Sequence, residues 1–322
     1  VEYISYRSSA IARSCWKKYF FDSVEHLVPR KHSTSLITGR ILHGAMEQHY
    51  LGVSHDDCLD YIRKSFAEEI SKAELIDQEE LVVARYQTLG MFGNFPFAEY
   101  DAEITEVIPE MEFEVPLPSS RGIRFIGRLD GLVLSNGNWW VREFKTTGLS
   151  MRQFEGRASK SAQGTGYVYG ANKKTELPIA GIMFDIIKRP MLRKRLTENM
   201  DQFGLRIMKD YHDRPEFYYR RYYTYRTETD INLWQQDMTT LIQDIRMRKK
   251  TGRYYRNPEA CWQFNQECPY SKICWDEKPD ELTVQLCFEK GESYAERKKR
   301  EATVNHTEET LAGQDGQACD TE

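Results

Sequence analysis

Gly127-Arg128-Leu129-Asp130-Gly131-Leu132-Val133-Leu134-Ser135-Asn136-Gly137-Asn138-Trp139-Trp140-Val141-Arg142-Glu143-Phe144-Lys145 sets two alternating runs on either side of Asn-Gly. That dipeptide between such runs is the strongest short-range hairpin signal, a two-residue type I′ loop. With Asn136-Gly137 as the loop, Ser135 faces Asn138. The same register puts Asp130 opposite Glu143, both on one sheet face, with Lys145 two residues on along that face. Leu129 and Phe144 point the other way, into a core. Directly opposed carboxylates destabilise a sheet unless a cation compensates. A divalent ion is one such cation. The competing reading is a solvated face on which Arg128 and Lys145 neutralise the acids, and a bulge or a longer loop would break the register.

Outward from the hairpin, periodicity predicts helices over Ser8–Phe21, Leu36–Leu51, Asp56–Lys72 and Glu79–Met91. Strands follow over Ile104–Val115, Gly122–Leu134 and Asn138–Thr147. A helix is predicted over Met151–Ala171, a strand over Pro178–Ile187, an aromatic strand over Glu216–Arg226 and a helix over Thr229–Lys250. The expected class is α/β, a central mixed sheet flanked by helices, with a helical N-terminal part at 1–100 and a core with a cysteine segment at 101–288. Residues 289–322, polar and acidic, read as a disordered or weakly helical tail, dispensable for chemistry.

The 322 residues are enough to bury a core without disulfide staples. No apolar run approaches the ~20 residues of a membrane span. The N-terminus has no basic stretch followed by a greasy one, so the expected compartment is cytoplasmic. Residues 289–322 hold five Lys/Arg and nine Asp/Glu, so the net charge of −4 resides there and the body is neutral. A nucleic-acid partner is therefore compatible with the charge, and local patches decide.

Asp130 followed by Glu143-Phe144-Lys145 resembles the PD-(D/E)XK nuclease motif. Gly-Arg-Leu-Asp-Gly and then Glu-Phe-Lys-Thr-Thr looks like the RecB-type exonuclease branch, which includes CRISPR-adaptation nucleases, helicase–nuclease subunits and phage proteins. Gly39–Glu47 resembles that family's upstream histidine helix, and Gln163-Gly164-Thr165-Gly166-Tyr167 its Gln-x-x-x-Tyr motif. The resemblance spans about Ser8 to Trp275. It implies a restriction-endonuclease-like core and a metal-dependent DNA nuclease acting on single strands or DNA ends. It also implies Mg²⁺ or Mn²⁺ held by His43, Asp130, Glu143 and the Phe144 carbonyl. By the same resemblance Lys145 orients and helps deprotonate the attacking water or stabilises the phosphorane, while Gln163 and Tyr167 position the scissile strand. Recombination, helicase or CRISPR-adaptation proteins would be partners. The alternative is a catalytically silent DNA-binding or complex-forming subunit with the same fold.

Seven cysteines are unevenly spread, and Cys261, Cys268 and Cys274 read as a metal site before they read as disulfides. Together with Cys15 they resemble the iron–sulfur arrangement of some RecB-type nucleases, a [4Fe–4S] cluster clipping the N-terminal helix to the C-terminal segment. The Cys-x-x-Cys pair of the tightest form of that pattern is missing, so zinc and buried free thiols stay open. Cys58, Cys287 and Cys319 have no evident partner. Three basic clusters, at 188–195, 246–256 and 218–226, carry interleaved aromatics in the last two and suit phosphate and base contact.

Overall fold

The structure, a computed structural model, describes residues 2–118, 122–263, 266–276 and 279–301. The chain opens with β1 (Glu2–Ser5), α1 (Tyr6–Ser14), α2 (Trp16–Tyr19), a π-helical turn (Phe20–Val24) and β2 (Leu27–Pro29). Helices α3 (Thr34–Tyr50), α4 (His55–Lys72), α5 (Leu75–Gly93) and α6 (Phe97–Asp101) follow. Next come β3 (Ile104–Pro116), β4 (Ile123–Ser135), β5 (Asn138–Thr147), α7 (Met151–Ala158), α8 (Ala162–Thr175) and β6 (Ile179–Lys188). Then come α9 (Met200–Asp213), α10 (Pro215–Tyr218), β7 (Tyr219–Tyr225) and α11 (Glu228–Thr251). The C-terminal part holds β8 (Trp262–Gln263), β9 (Gln266–Glu267), α12 (Ser271–Cys274), α13 (Glu281–Cys287) and β10 (Phe288–Lys290).

These elements divide into two compact units, which differ from the sequence-based division at residues 100 and 288. One comprises 32–121 and 125–240; the other comprises 1–31, 122–124 and 241–322. The helical N-terminal part is therefore not one body. Its first 31 residues share a core with the cysteine segment, and α3–α6 share one with the sheet.

In the larger unit the sheet runs β4-β5-β6-β7, with β3 also on β4. β4/β5 and β6/β7 are antiparallel, and β5/β6 is parallel, joined through α7 and α8. Asn136 and Gly137 both take positive φ (50° and 73°), as a type I′ turn requires. Ser135 pairs with Asn138, and the predicted register holds through Gly131 and Arg142. One face of the sheet presents Phe144, Ile187 and Tyr219 to a core shared with α3, α4, α5 and α9. The other face packs α8. A Cβ on Gly164 would stand 2.9 Å from Ile182 Cδ1, so a side chain there would push the Ile182 side chain aside.

Several elements differ from expectation. The helix expected over 8–21 breaks at Cys15, which is extended (φ −158°, ψ 120°). The helix expected over 151–171 breaks after Ala158, and Ser161 caps a new start by accepting from the Gly164 amide. Pro215 opens a helical turn, so the aromatic strand starts at Tyr219 rather than Glu216. α9 was not anticipated.

In the smaller unit Phe21, Tyr270, Ile273, Cys274 and Phe288 form the core. The expected tail boundary at 289 is also displaced. Glu289 and Lys290 pair with Val28 and Leu27 in β10/β2, and residues 294–301 are helical. Phe288, 3% exposed, anchors this segment. The rest of the expected tail, 302–322 with Cys319, lies outside the described residues. No helix among the described residues is long and apolar enough to cross a membrane.

Candidate active site

His43, Asp130, Glu143, Phe144, Lys145, Gln163 and Tyr167 all belong to the larger unit. Helix α3 is started by Ser33, whose side chain accepts from the Leu36 amide. Ile37, Ile41, Leu42, Ala45 and Met46 bury one side of it. His43 stays a third exposed, with Nδ1 3.0 Å from Asp130 Oδ1. The other carboxylate oxygen of Asp130 accepts the Phe144 amide at 2.8 Å. The backbone ladder has ended one pair earlier, so the side chain takes over a donor that the strand would otherwise satisfy. On a strand the N–H and C=O of one residue leave on the same edge, so the Phe144 carbonyl faces this side too.

Glu143 is 2% exposed, and Lys145 Nζ lies 2.8 Å from its Oε2. Burial pushes the Glu143 carboxyl up to about 7, against the pull of Lys145. Burial disfavours the Lys145 charge, but Glu143 and Asp130 outweigh it and hold the ammonium above the usual lysine range. Asp130 is held below its ordinary value: burial opposes, and His43, Lys145 and the Phe144 amide prevail. His43 is raised, because Asp130 more than offsets its burial. Two carboxylates on one face thus have their pKa values driven apart, the pattern of sites that divide acid and base work.

Gln163 and Tyr167 stand one turn apart on α8 and interact with each other. Burial first, then Glu143, pushes the Tyr167 phenol up to about 12, and Tyr167 in turn acts on Lys145. The structure therefore brings α8 to the same side as the carboxylates.

Arg128 does not neutralise the acids, as the solvated-face reading requires. It bonds both oxygens of Glu47 at 3.2 Å and pairs with Glu110. Sequence reasoning gave Glu47 and Glu110 no role; Glu47, one turn after His43, carried a signal in its spacing. It also missed the ion cluster on the opposite face of β5. There Arg142 donates to Asp185 (2.7 Å) and Asp101 (3.0 Å), and Arg221 grips both oxygens of Asp185.

The smaller unit holds the four cysteines singled out. Cys15, Cys261, Cys268 and Cys274 line one pocket with Lys18 and Arg256, and all four are free thiols. Burial raises the Cys268 and Cys274 thiols, with Cys15 among the neighbours that add to it. The Asn257 amide approaches Cys15 Sγ at 3.4 Å, and Arg256 Nε donates to the Cys274 carbonyl at 2.7 Å. Among the described residues, no three His, Cys, Asp or Glu side chains already stand in a set metal geometry. At the carboxylates, His43 and Lys145 occupy the oxygens that an ion would take. The donor chemistry of both places nonetheless suits metal: hard carboxylate oxygens for Mg²⁺ or Mn²⁺, four thiols for iron–sulfur or zinc.

A mixed sheet flanked by helices, with an aspartate, a glutamate and a lysine converging on one face beside a parallel crossover, defines a restriction-endonuclease-like fold. The family model of the PD-(D/E)XK nuclease superfamily matches residues 3–275, and the chain belongs to that superfamily. No curated protein matches the chain.

Proposed function

We propose that this chain is a metal-dependent deoxyribonuclease of the RecB-type branch, an exonuclease on single strands or DNA ends. The observation that carries this reading is the convergence of Asp130, Glu143 and Lys145, with His43 3.0 Å from Asp130. A divalent ion bound by His43, Asp130, Glu143 and the Phe144 carbonyl would supply Lewis-acid charge and lower the pKa of a bound water. Glu143 and Asp130 hold the Lys145 ammonium above the usual lysine range, so its work would be to hold water and phosphate oxygen and to place positive charge on the phosphorane. Its expected help in deprotonating the water would then be electrostatic, from a charged ammonium beside that water. Gln163 and Tyr167 would hold the scissile strand against this face. In the smaller unit the four cysteines would hold a [4Fe–4S] cluster, with zinc as the alternative and Lys18 and Arg256 offsetting thiolate charge. Proteins of recombination, helicase or CRISPR-adaptation systems would be its partners.

The test is incubation with end-labelled single- and double-stranded DNA in Mg²⁺ or Mn²⁺, with product sizes followed over time. Mononucleotides released from an end support the exonuclease reading, and internal fragments replace it with an endonuclease. Binding without any product would make the chain a silent subunit, a role against which the complete Asp130, Glu143 and Lys145 set argues.

A further inference from the structure

The smaller unit carries a second feature, which adjoins its cysteine pocket through Lys18 and Arg256 and lies outside the catalytic residues. Residues 245–258 contain six Lys/Arg and no Asp or Glu. Residues 3–21 contain Arg7, Arg13, Lys17 and Lys18 and no acid. The two stretches meet where the Lys17 amide donates to the Tyr255 carbonyl at 3.0 Å. Glu2 and Asp22 pair with Lys249 and Arg7. Among the described residues Lys17, Lys18, Arg248, Lys250, Arg253 and Arg256 have no carboxylate partner.

Aromatic rings run through these cations. The Arg248 guanidinium lies 4.6 Å from the Tyr255 ring centroid and 5.4 Å from that of Trp16. Arg256 lies 5.4 Å from Trp275. Trp16 is buried, whereas Tyr255 and Trp275 are 55% and 57% exposed. Leaving two large rings in water beside guanidinium groups that have no carboxylate partner forgoes burial that would stabilise the fold. A duplex offers this surface phosphates but hides its base faces. A single strand offers both, and stacking on exposed rings between phosphate-binding cations is how proteins hold one without reading its sequence.

We infer that Tyr255 and Trp275, with Lys250, Arg253 and the flanking cations, form a stacking surface for single-stranded DNA on the cysteine-bearing unit. This deepens the nuclease reading, on which its biological sense rests, by adding a strand-holding site outside the catalytic residues.

The test is fluorescence anisotropy of the full-length protein with labelled oligo(dT), in EDTA so that cleavage does not enter. Each ring changed to Ala should weaken binding about 5- to 100-fold. Lys250→Glu with Arg253→Glu should flatten the salt dependence by about one logarithmic unit or more. An abasic oligomer of equal length should bind the wild type as weakly as oligo(dT) binds Tyr255→Ala/Trp275→Ala. Thermal melts matched to wild type keep the comparison to folded protein, and the charge pair, fully on the surface, gives a second test should the ring variant melt early. Wild-type affinity in both variants would overturn the inference. So would equal losses for duplex and single strand, which would make the surface a duplex-phosphate patch, and so would no oligo(dT) binding by the wild type. A wild type that binds but cleaves nothing in Mn²⁺ would sink the nuclease reading and leave this one standing.

Discussion

Asp130, the residue just past the last backbone pair of β4 with β5, accepts the Phe144 amide with its carboxylate at 2.8 Å. A single hydrogen bond thus links the hairpin register to the site. It fixes one oxygen of Asp130 on the strand and leaves the other to His43. It also keeps Phe144 turned into the helical core while Glu143 and Lys145 face the opposite side.

The raised Glu143 carboxyl gives a pH prediction. Divalent-ion binding needs the carboxylate, so Mn²⁺ affinity should climb as pH rises through about 7. Without metal the sign reverses for stability. The folded protein keeps a proton that the unfolded chain gives up near 4.5, so this group's contribution falls between about 4.5 and 7 as pH rises. Calorimetric Mn²⁺ titrations and melts across pH 5–8 check both, and Glu143→Gln should remove both dependences.

The cysteine pocket predicts a brown protein after anaerobic purification, with iron and sulfide in about a four-to-four ratio. Cys15→Ala or Cys274→Ala should bleach it and lower its melting temperature, because a metal centre absent from the unfolded chain contributes to folding. Cys58→Ala should leave metal content unchanged and cost only packing, since Cys58 is buried in α4 among apolar neighbours. About one zinc and no iron would replace the cluster with a zinc clip. Neither metal, with Cys15→Ala melting as wild type, would leave ordinary thiols.

The ion cluster behind the site predicts a stability effect. Asp185 is fully buried, with Arg142 and Arg221 both on it. Asp185→Ala would leave two buried guanidinium groups sharing Asp101 as their one remaining carboxylate and should cost about 3–5 kcal/mol in urea unfolding. A loss under 1 kcal/mol would show that the arginines find other partners.

The C-terminal strand predicts that truncation before Phe288 destabilises the protein, contrary to what composition suggests. Phe288→Ala alone should cost about 3–5 kcal/mol, because its ring stacks on Tyr270 in the small core. An unchanged melting curve would show that β10 adds nothing.

The hairpin and its register were legible from the Asn-Gly turn and the two-residue period as far as Gly131 and Arg142, but the expected Asp130/Glu143 pair lies past the last backbone pair, where the Asp130 side chain bonds the Phe144 amide instead. Four cysteines in one pocket followed only from resemblance, since sequence distance hides what the break at Cys15 and the turns after Pro258 bring together. Helix α9 was hidden by the basic cluster before it, although Asn199 and Gln202 form a capping box and Phe203, Ile207 and Tyr211 recur every four residues. Composition misplaced the tail boundary, because one phenylalanine and three backbone pairs are enough to dock β10. Nothing local marked Arg142, Asp185 and Arg221 as partners; their pairing exists only through the β5/β6/β7 register.

In the proposed function Asp130, Glu143 and Lys145 hydrolyse phosphodiester bonds with a divalent ion. Single-turnover cleavage of end-labelled single-stranded DNA in Mn²⁺, by wild type, Asp130→Asn and Lys145→Ala of equal fold, tests it most directly. The wild type should cleave, EDTA should abolish that cleavage, and each variant should be slower by about 10²–10⁴-fold. Near-wild-type turnover by metal-loaded Asp130→Asn, or wild-type cleavage that persists in EDTA, would contradict the proposed function.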